Sequence, residues 1–245
     1  MKETLNSLSI GDLQLLQGEN GYRYSLDPIL LARFVKLKKG ARVVDLGTGC
    51  GILPLLLARL GDVEECTGIE LQPGLADRAA RNVELNSLGD RVRILRGDIR
   101  NIRDILPAGC ADLVVSNPPY RQLGSGRIAP DDERAAARHE VTGGLADFVA
   151  AAGWLLKNGG SFSVVYLAER LPELITSMIA RGIAPKRLRM VHPRKAEAAK
   201  MILLEGGKNG RPGLQIEKPL YIYRGHGSGR GYTEEVLQMY GADVG

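Results

Sequence analysis

The sequence predicts an α/β fold, a doubly wound, seven-stranded and mostly parallel sheet whose last strand runs antiparallel. Three observations predict it. From residue 41 onward, short runs rich in valine and isoleucine alternate with helical patterns, as successive βαβ units require. A glycine-rich turn, Gly47-Thr48-Gly49-Cys50-Gly51, directly follows the first of these runs and opens a helical pattern, as at the first crossover of such a sheet. The last two strand candidates are linked too briefly for a crossover helix, so they must pair antiparallel.

In order, strands are expected near residues 41–46, 64–70, 91–96, 112–117, 160–166, 186–192 and 200–205, with helices near 52–60, 73–86, 143–157 and 169–181. Pro73 and Pro172 fall in first helical turns, where a missing N–H costs nothing. Ahead of the sheet, Asp27-Pro28 reads as a helix start with Asp27 as N-cap, the helix running to about Lys38. Residues 121–138, long and charged, and residues 206–213, with four glycines and a proline, read as loops. Seven strands without a long unpatterned gap argue for one domain.

Composition excludes several classes. The 245 residues, 44% hydrophobic and 25% charged, are ordinary globular usage. No apolar run approaches the ~18 residues that cross a bilayer, and the first eleven residues lack a signal-peptide pattern. Cys50, Cys66 and Cys110 are odd in number and lack CxxC spacing. Neither a disulfide framework nor a metal site is indicated, and a reducing cytoplasm is the expected location. The net charge of +5 is modest, but residues 181–200 hold seven Lys or Arg against one acid, Glu197. That stretch is a candidate polyanion surface, or else an ordinary solvated face.

Asp45 stands at the end of the first strand, just ahead of Gly47, Gly49 and Gly51. A carboxylate there repels a pyrophosphate but tolerates a cationic, phosphate-free ligand such as S-adenosylmethionine. Glu70 ends the second strand nineteen residues after Gly51, where an acid can accept hydrogen bonds from both ribose hydroxyls. Asp98, past the third strand, can meet an adenine amino group. In order and spacing these residues resemble the motifs of class I S-adenosylmethionine-dependent methyltransferases. The resemblance implies that the glycines pass under the methionine part, that Glu70 holds the ribose, and that Asp98 with Ile99 holds the adenine.

Asn117-Pro118-Pro119-Tyr120 follows the fourth strand at the same carboxyl edge, so Asn117 faces cofactor and acceptor alike. An exocyclic amine on a ring is a poor nucleophile because its lone pair is delocalised. Two fixed acceptors on its hydrogens, Asn117 Oδ1 and the Pro118 carbonyl, favour the pyramidal nitrogen that can attack, and paired prolines keep those oxygens aimed. Tyr120 can stack on a planar acceptor. The tetrapeptide resembles the catalytic motif of amino methyltransferases acting on adenine, cytosine or the glutamine side chain, and so does not choose among them.

Other segments bear on the acceptor. Tyr22-Arg23-Tyr24-Ser25-Leu26-Asp27-Pro28, Arg138-His139-Glu140, the basic stretch from Pro185 through Arg187, Arg189 and Arg194, and the closing Gly231-Tyr232-Thr233 resemble the tRNA1(Val) adenine-37 N6-methyltransferase family. That resemblance implies N6 of adenine in tRNA as the acceptor, with residues 1–40 as an extension over the cofactor site, in which Tyr22 takes part, and residues 41–245 as the methyltransferase domain. Arg138 is then expected beside the acceptor pocket, and Arg187, Arg189, Arg194 and Lys195 on RNA phosphates. A protein-glutamine methyltransferase and a non-catalytic cofactor-binding RNA module are the alternatives.

Overall fold

The computed structural model describes residues 3–18, 26–120, 143–225 and 231–241. The chain opens with an antiparallel hairpin, β1 (Glu3–Leu8) and β2 (Leu13–Gly18), followed by α1 (Asp27–Phe34). The alternating core is β3 (Ala41–Leu46), α2 (Ile52–Leu60), β4 (Val63–Glu70), α3 (Pro73–Leu85), β5 (Val92–Arg96), α4 (Ile102–Ile105) and β6 (Ala111–Ser116). Then come α5 (Leu145–Leu155), β7 (Leu156–Leu167), α6 (Leu171–Ala180), β8 (Ile183–His192), β9 (Met201–Lys208), β10 (Gln215–Ile216), β11 (Leu220–Tyr221) and α7 (Glu234–Met239).

The main sheet has the order β10-β8-β9-β7-β6-β3-β4-β5, with β11 also on β8. All seven expected strands are present, and β9, the last long one, runs antiparallel to both β7 and β8. The sheet nonetheless has nine strands: β10 and β11, two residues each, pair parallel to β8 along its outer side. Segments so short carry no periodic signal.

Residues on β3 are buried on both faces, Val43 in one hydrophobic cluster and Val44 with Leu46 in the other, as a central parallel strand demands. The first cluster takes α1, α2 and the hairpin; the second takes α4, α5 and α6. Helix α2 is apolar all round because it is covered on every side, Ile52 to Ala58 being buried throughout.

Two expectations near α1 are corrected. Leu26, not Asp27, is the N-cap, with no side-chain cap; Asp27 is already helical, and its carboxylate is used elsewhere. The helix also stops at Phe34, not near Lys38, because Val35 turns extended. Val35 and Leu37 then pack on the core while Lys36 and Lys38 point to solvent, a strand-like alternation that a continued helix would break. Of the expected 206–213 loop, Gly206 to Lys208 belong to β9.

The hairpin is fastened by two asparagines of α3 and its cap. Fully buried Asn82 accepts from Leu16 N at 2.7 Å and donates to Leu16 O at 3.2 Å and to Cys50 O at 2.9 Å. Asn86 likewise accepts from Gln14 N and donates to Gln14 O. Asn82→Ala leaves three backbone groups without a partner and is expected to cost about 2–4 kcal/mol in urea denaturation. Stability within ~0.5 kcal/mol of wild type would show that water replaces the amide.

Candidate functional site

The parallel register brings the carboxyl ends of five strands into one row. Leu46 lies beside Ile69 and Ser116, and Glu70 beside Arg96. Asp98, Glu70, Asp45 to Gly51 and Asn117 therefore follow one another along one edge, with the end of β7 next. Because β8 runs in the direction of β7, the turn at 193–200 reaches that edge too.

The turn after β3 is glycine-built for steric reasons. Gly47, Gly49 and Gly51 have φ of 72°, 59° and 83°, in the left-handed region. A Cβ on Gly47 would meet Phe148 at 3.0 Å and one on Gly51 would meet Ala79 at 3.1 Å, whereas at Gly49 it would enter open space. Gly47 N and Thr48 N donate to Ile69 O, locking the turn to β4.

Two carboxylates line this turn. Glu70 Oε2 accepts from Gly49 N at 2.9 Å and Oε1 from Gln72 N at 2.8 Å, leaving each oxygen a further lone pair. Among the described ion pairs, none involves Asp45 or Glu70, though both are buried. Burial pushes Asp45 up to about 7, and the neighbouring Glu70 charge adds to this. Burial raises Glu70 as well, against its backbone donors. The Thr48 hydroxyl lies close enough to Asp45 to offset part of the rise, yet Thr48 Oγ1 is buried without a partner in hydrogen-bond geometry. Two buried acids, an orphaned hydroxyl and an open glycine face suit a cationic ligand bearing hydroxyls.

A pH signature follows. With its folded value raised from 3.8 to about 7, Asp45 favours the fold most below pH ~4, and that contribution is lost as pH rises to ~7. Asp45→Asn is expected to stabilise the ligand-free protein at pH 8 by about 1–3 kcal/mol and to flatten this slope. The same change should weaken S-adenosylhomocysteine, and wild-type affinity should decline from pH 8 to pH 6 as Asp45 takes up its proton. Calorimetry across pH checks both; unchanged affinity in Asp45→Asn would remove Asp45 from the site.

Asp98 behaves differently. It caps the short turn at Ile99–Asn101, and both carboxylate oxygens are held by the Arg100 guanidinium at 2.5–2.9 Å, which lowers its pKa. It reaches the edge as an ion pair rather than a lone carboxylate, with buried Ile99 beside it.

On β6, buried Ser116 donates to Leu46 O at 2.9 Å, tying the tetrapeptide to β3. Pro118 is buried; Asn117, Pro119 and Tyr120 are half-buried. The Tyr120 hydroxyl lies 2.6 Å from Asn117 Oδ1 and 2.9 Å from Asp27 Oδ2. Its ring meets Tyr166 edge-on at 5.9 Å, and the Tyr166 hydroxyl accepts from Arg170, which also pairs with Glu173. Tyr166 and Arg170 were not legible as site residues, lying 46 and 50 positions from Tyr120; Asp27 falls in the Tyr22–Pro28 segment that the resemblance puts over the methionine end of the cofactor, but its contact with Tyr120, 93 positions away, was not legible.

In the basic stretch Arg187 is corrected, and Arg189 and Arg194 are already paired within the chain. Arg187 is buried, donating to Glu217 at 2.7 Å, Glu205 at 2.9 Å and Phe34 O at 3.1 Å, with its guanidinium 4.2 Å from the Phe34 ring centre. Arg189 is held by Glu235 and Lys218 O. Arg194 pairs with Glu197 and lies over Tyr223, the first of three stacked rings with Tyr232 and Tyr240. Arg187 alone is buried; Arg189 and Arg194 are half-buried and pair with the exposed carboxylates of Glu235 and Glu197, whereas Lys195 and Lys200 are exposed. Tyr22 and Arg138 to Glu140 lie outside the described residues.

Fold and crevice together define a class I S-adenosylmethionine-dependent methyltransferase. The TRM5/TYW2 methyltransferase domain family matches residues 17–123. The chain is 28% identical to a tRNA1(Val) (adenine(37)-N6)-methyltransferase of Tolumonas auensis over 81% of this chain and 82% of that one. It is 32% identical to the protein of the same name from Porphyromonas gingivalis, over 66% of this chain and 64% of that one. Among solved structures, a predicted O-methyltransferase from Agrobacterium tumefaciens superposes with a TM-score of 0.70 at 24% identity, covering 88% of this chain and 95% of that one, a likeness of fold. Within the class, the chain is similar over most of its length to several tRNA1(Val) (adenine(37)-N6)-methyltransferases, at 26–32% identity.

Proposed function

We propose that this enzyme methylates N6 of an adenine in tRNA, in the cytoplasm, with position 37 of tRNA1(Val) the site suggested by the name its relatives share. The observation that carries the reading is Asn117-Pro118-Pro119-Tyr120 on the same sheet edge as Asp45 and Glu70, tied to β3 through Ser116. Bound S-adenosylmethionine supplies an electrophilic methyl group. Asp45 offers negative charge to its ammonium and Glu70 the spare lone pairs for its ribose. Asn117 Oδ1 and the Pro118 carbonyl accept the two amine hydrogens of the acceptor, freeing the nitrogen lone pair. No strong base is required, since the methylated nitrogen is acidic. The roles of Tyr22 in the cofactor site and Arg138 beside the acceptor belong to this proposal and rest on the family resemblance.

With Arg187 buried and Arg189 and Arg194 already paired with glutamates, phosphate contacts fall first to the exposed cations of the 193–200 turn, Lys195 and Lys200. Each should contribute about −0.7 to the log–log salt slope of tRNA binding, so removing either should reduce the slope by one contact. A slope near zero, with label entering protein and surviving ribonuclease, would replace the RNA reading with the glutamine one.

A further inference from the structure

We infer that Asp27 is a positioning residue that sets which way the Asn117 amide faces, an inference resting on the reading of Asn117 as acceptor of the amine hydrogens. The Tyr120 hydroxyl carries one proton, yet among the described residues two oxygens lie within its reach, Asn117 Oδ1 at 2.6 Å and Asp27 Oδ2 at 2.9 Å. A carboxylate can only accept, and the charge-assisted bond is the stronger of the two. The proton therefore goes to Asp27, and the hydroxyl turns lone pairs toward Asn117. Two oxygens 2.6 Å apart with no proton between them repel. A half-turn of the amide, which exchanges Oδ1 and Nδ2 without changing the side chain's shape, replaces that repulsion with an N–H donor. In this arrangement Asn117 Nδ2 donates to Tyr120, and Oδ1 keeps its lone pairs for the acceptor.

Without the Asp27 carboxylate the logic reverses. The tyrosine proton then goes to Asn117 Oδ1 and occupies the oxygen that the reaction needs. Asp27 is well placed to hold the arrangement because the next turns of α1 are fixed in the core, with Ile29, Leu30 and Leu31 at most 1% exposed.

The test is a double-mutant cycle on the full-length enzyme with tRNA and labelled S-adenosylmethionine. Asp27→Asn, whose amide can donate to the tyrosine oxygen, should lower kcat about 10–100-fold with little change in KM, S-adenosylhomocysteine affinity or melting temperature. Tyr120→Phe removes the proton in dispute, so adding Asp27→Asn to it should cost less than about twofold more. A full loss from Asp27→Asn in the phenylalanine background, or none in the tyrosine background, overturns the proposal. A second readout needs no RNA: one side-chain amide proton of 15N-labelled Asn117 should resonate downfield in wild type and move upfield in both Asp27→Asn and Tyr120→Phe. If wild type labels no adenine, the substrate reading fails while this signal still decides the role of Asp27. An Asn117 amide indifferent to both substitutions overturns the inference whatever the substrate.

Discussion

Asn117→Ala is expected to lower kcat by about two to three orders of magnitude while S-adenosylhomocysteine affinity stays within about twofold of wild type. The side chain lies at the end of β6 and is held from Tyr120 rather than by the core, so its loss does not open a cavity. What disappears is an oxygen fixed in advance where the amine hydrogen acquires positive charge in the transition state. Water could fill the space but would have to reorganise during the reaction, which is the cost that a preorganised acceptor avoids. Single-turnover methylation checks the number directly. Near-normal turnover would reduce the tetrapeptide to a rigid turn after a strand.

Arg187→Ala is expected to destabilise the protein by about 3 kcal/mol without changing the salt slope of tRNA binding. The guanidinium lies between Glu205 and Glu217, whose side chains are only 15% and 26% exposed, and also caps the Phe34 carbonyl at the end of α1. Removing it leaves two carboxylates facing each other in a poorly solvated place and exposes the Phe34 ring it covers. Their residual access to water keeps the cost below that of a fully buried pair. Urea denaturation gives the stability and a salt titration gives the slope. A variant of normal stability but weaker, less salt-dependent binding would return Arg187 to the phosphate surface.

This second case shows where local sequence was insufficient and where it held more than a count of charges. The strand at 186–192 was legible, and its period of two places Arg187 and Arg189 on the same face as Val191, opposite Leu188 and Met190. Both faces are covered in the fold, Val191 falling in the first cluster and Leu188 in the second, so alternation grouped the two arginines with an apolar residue without saying which face the fold would bury. The parallel strands and α2 were legible because buried β-branched runs and a glycine turn leave strong local marks, as on Val43, Val44 and Gly47. Asp45, Glu70 and Asn117 were legible because a parallel sheet puts all its strand ends on one edge. The contacts of Asp27 and Asn82 were not. Asp27 falls in the segment expected over the cofactor, but its partner Tyr120 lies 93 residues away and the Asn82 partner Leu16 lies 66 away, and nothing in either neighbourhood indicates which distant oxygen or amide the fold will present. The hairpin at 3–18 was not legible because its two strands, Glu3–Leu8 and Leu13–Gly18, hold a single β-branched residue, Thr4, and no aromatic one.

The most direct test of the central claim is nucleoside mass spectrometry of bulk tRNA, from cells lacking the enzyme, after incubation with the purified protein and methyl-labelled S-adenosylmethionine. Label is expected in N6-methyladenosine, absent with Asn117→Ala and absent when the tRNA is digested with ribonuclease beforehand. Label found only in another nucleoside, or in protein glutamine and insensitive to ribonuclease, would contradict it.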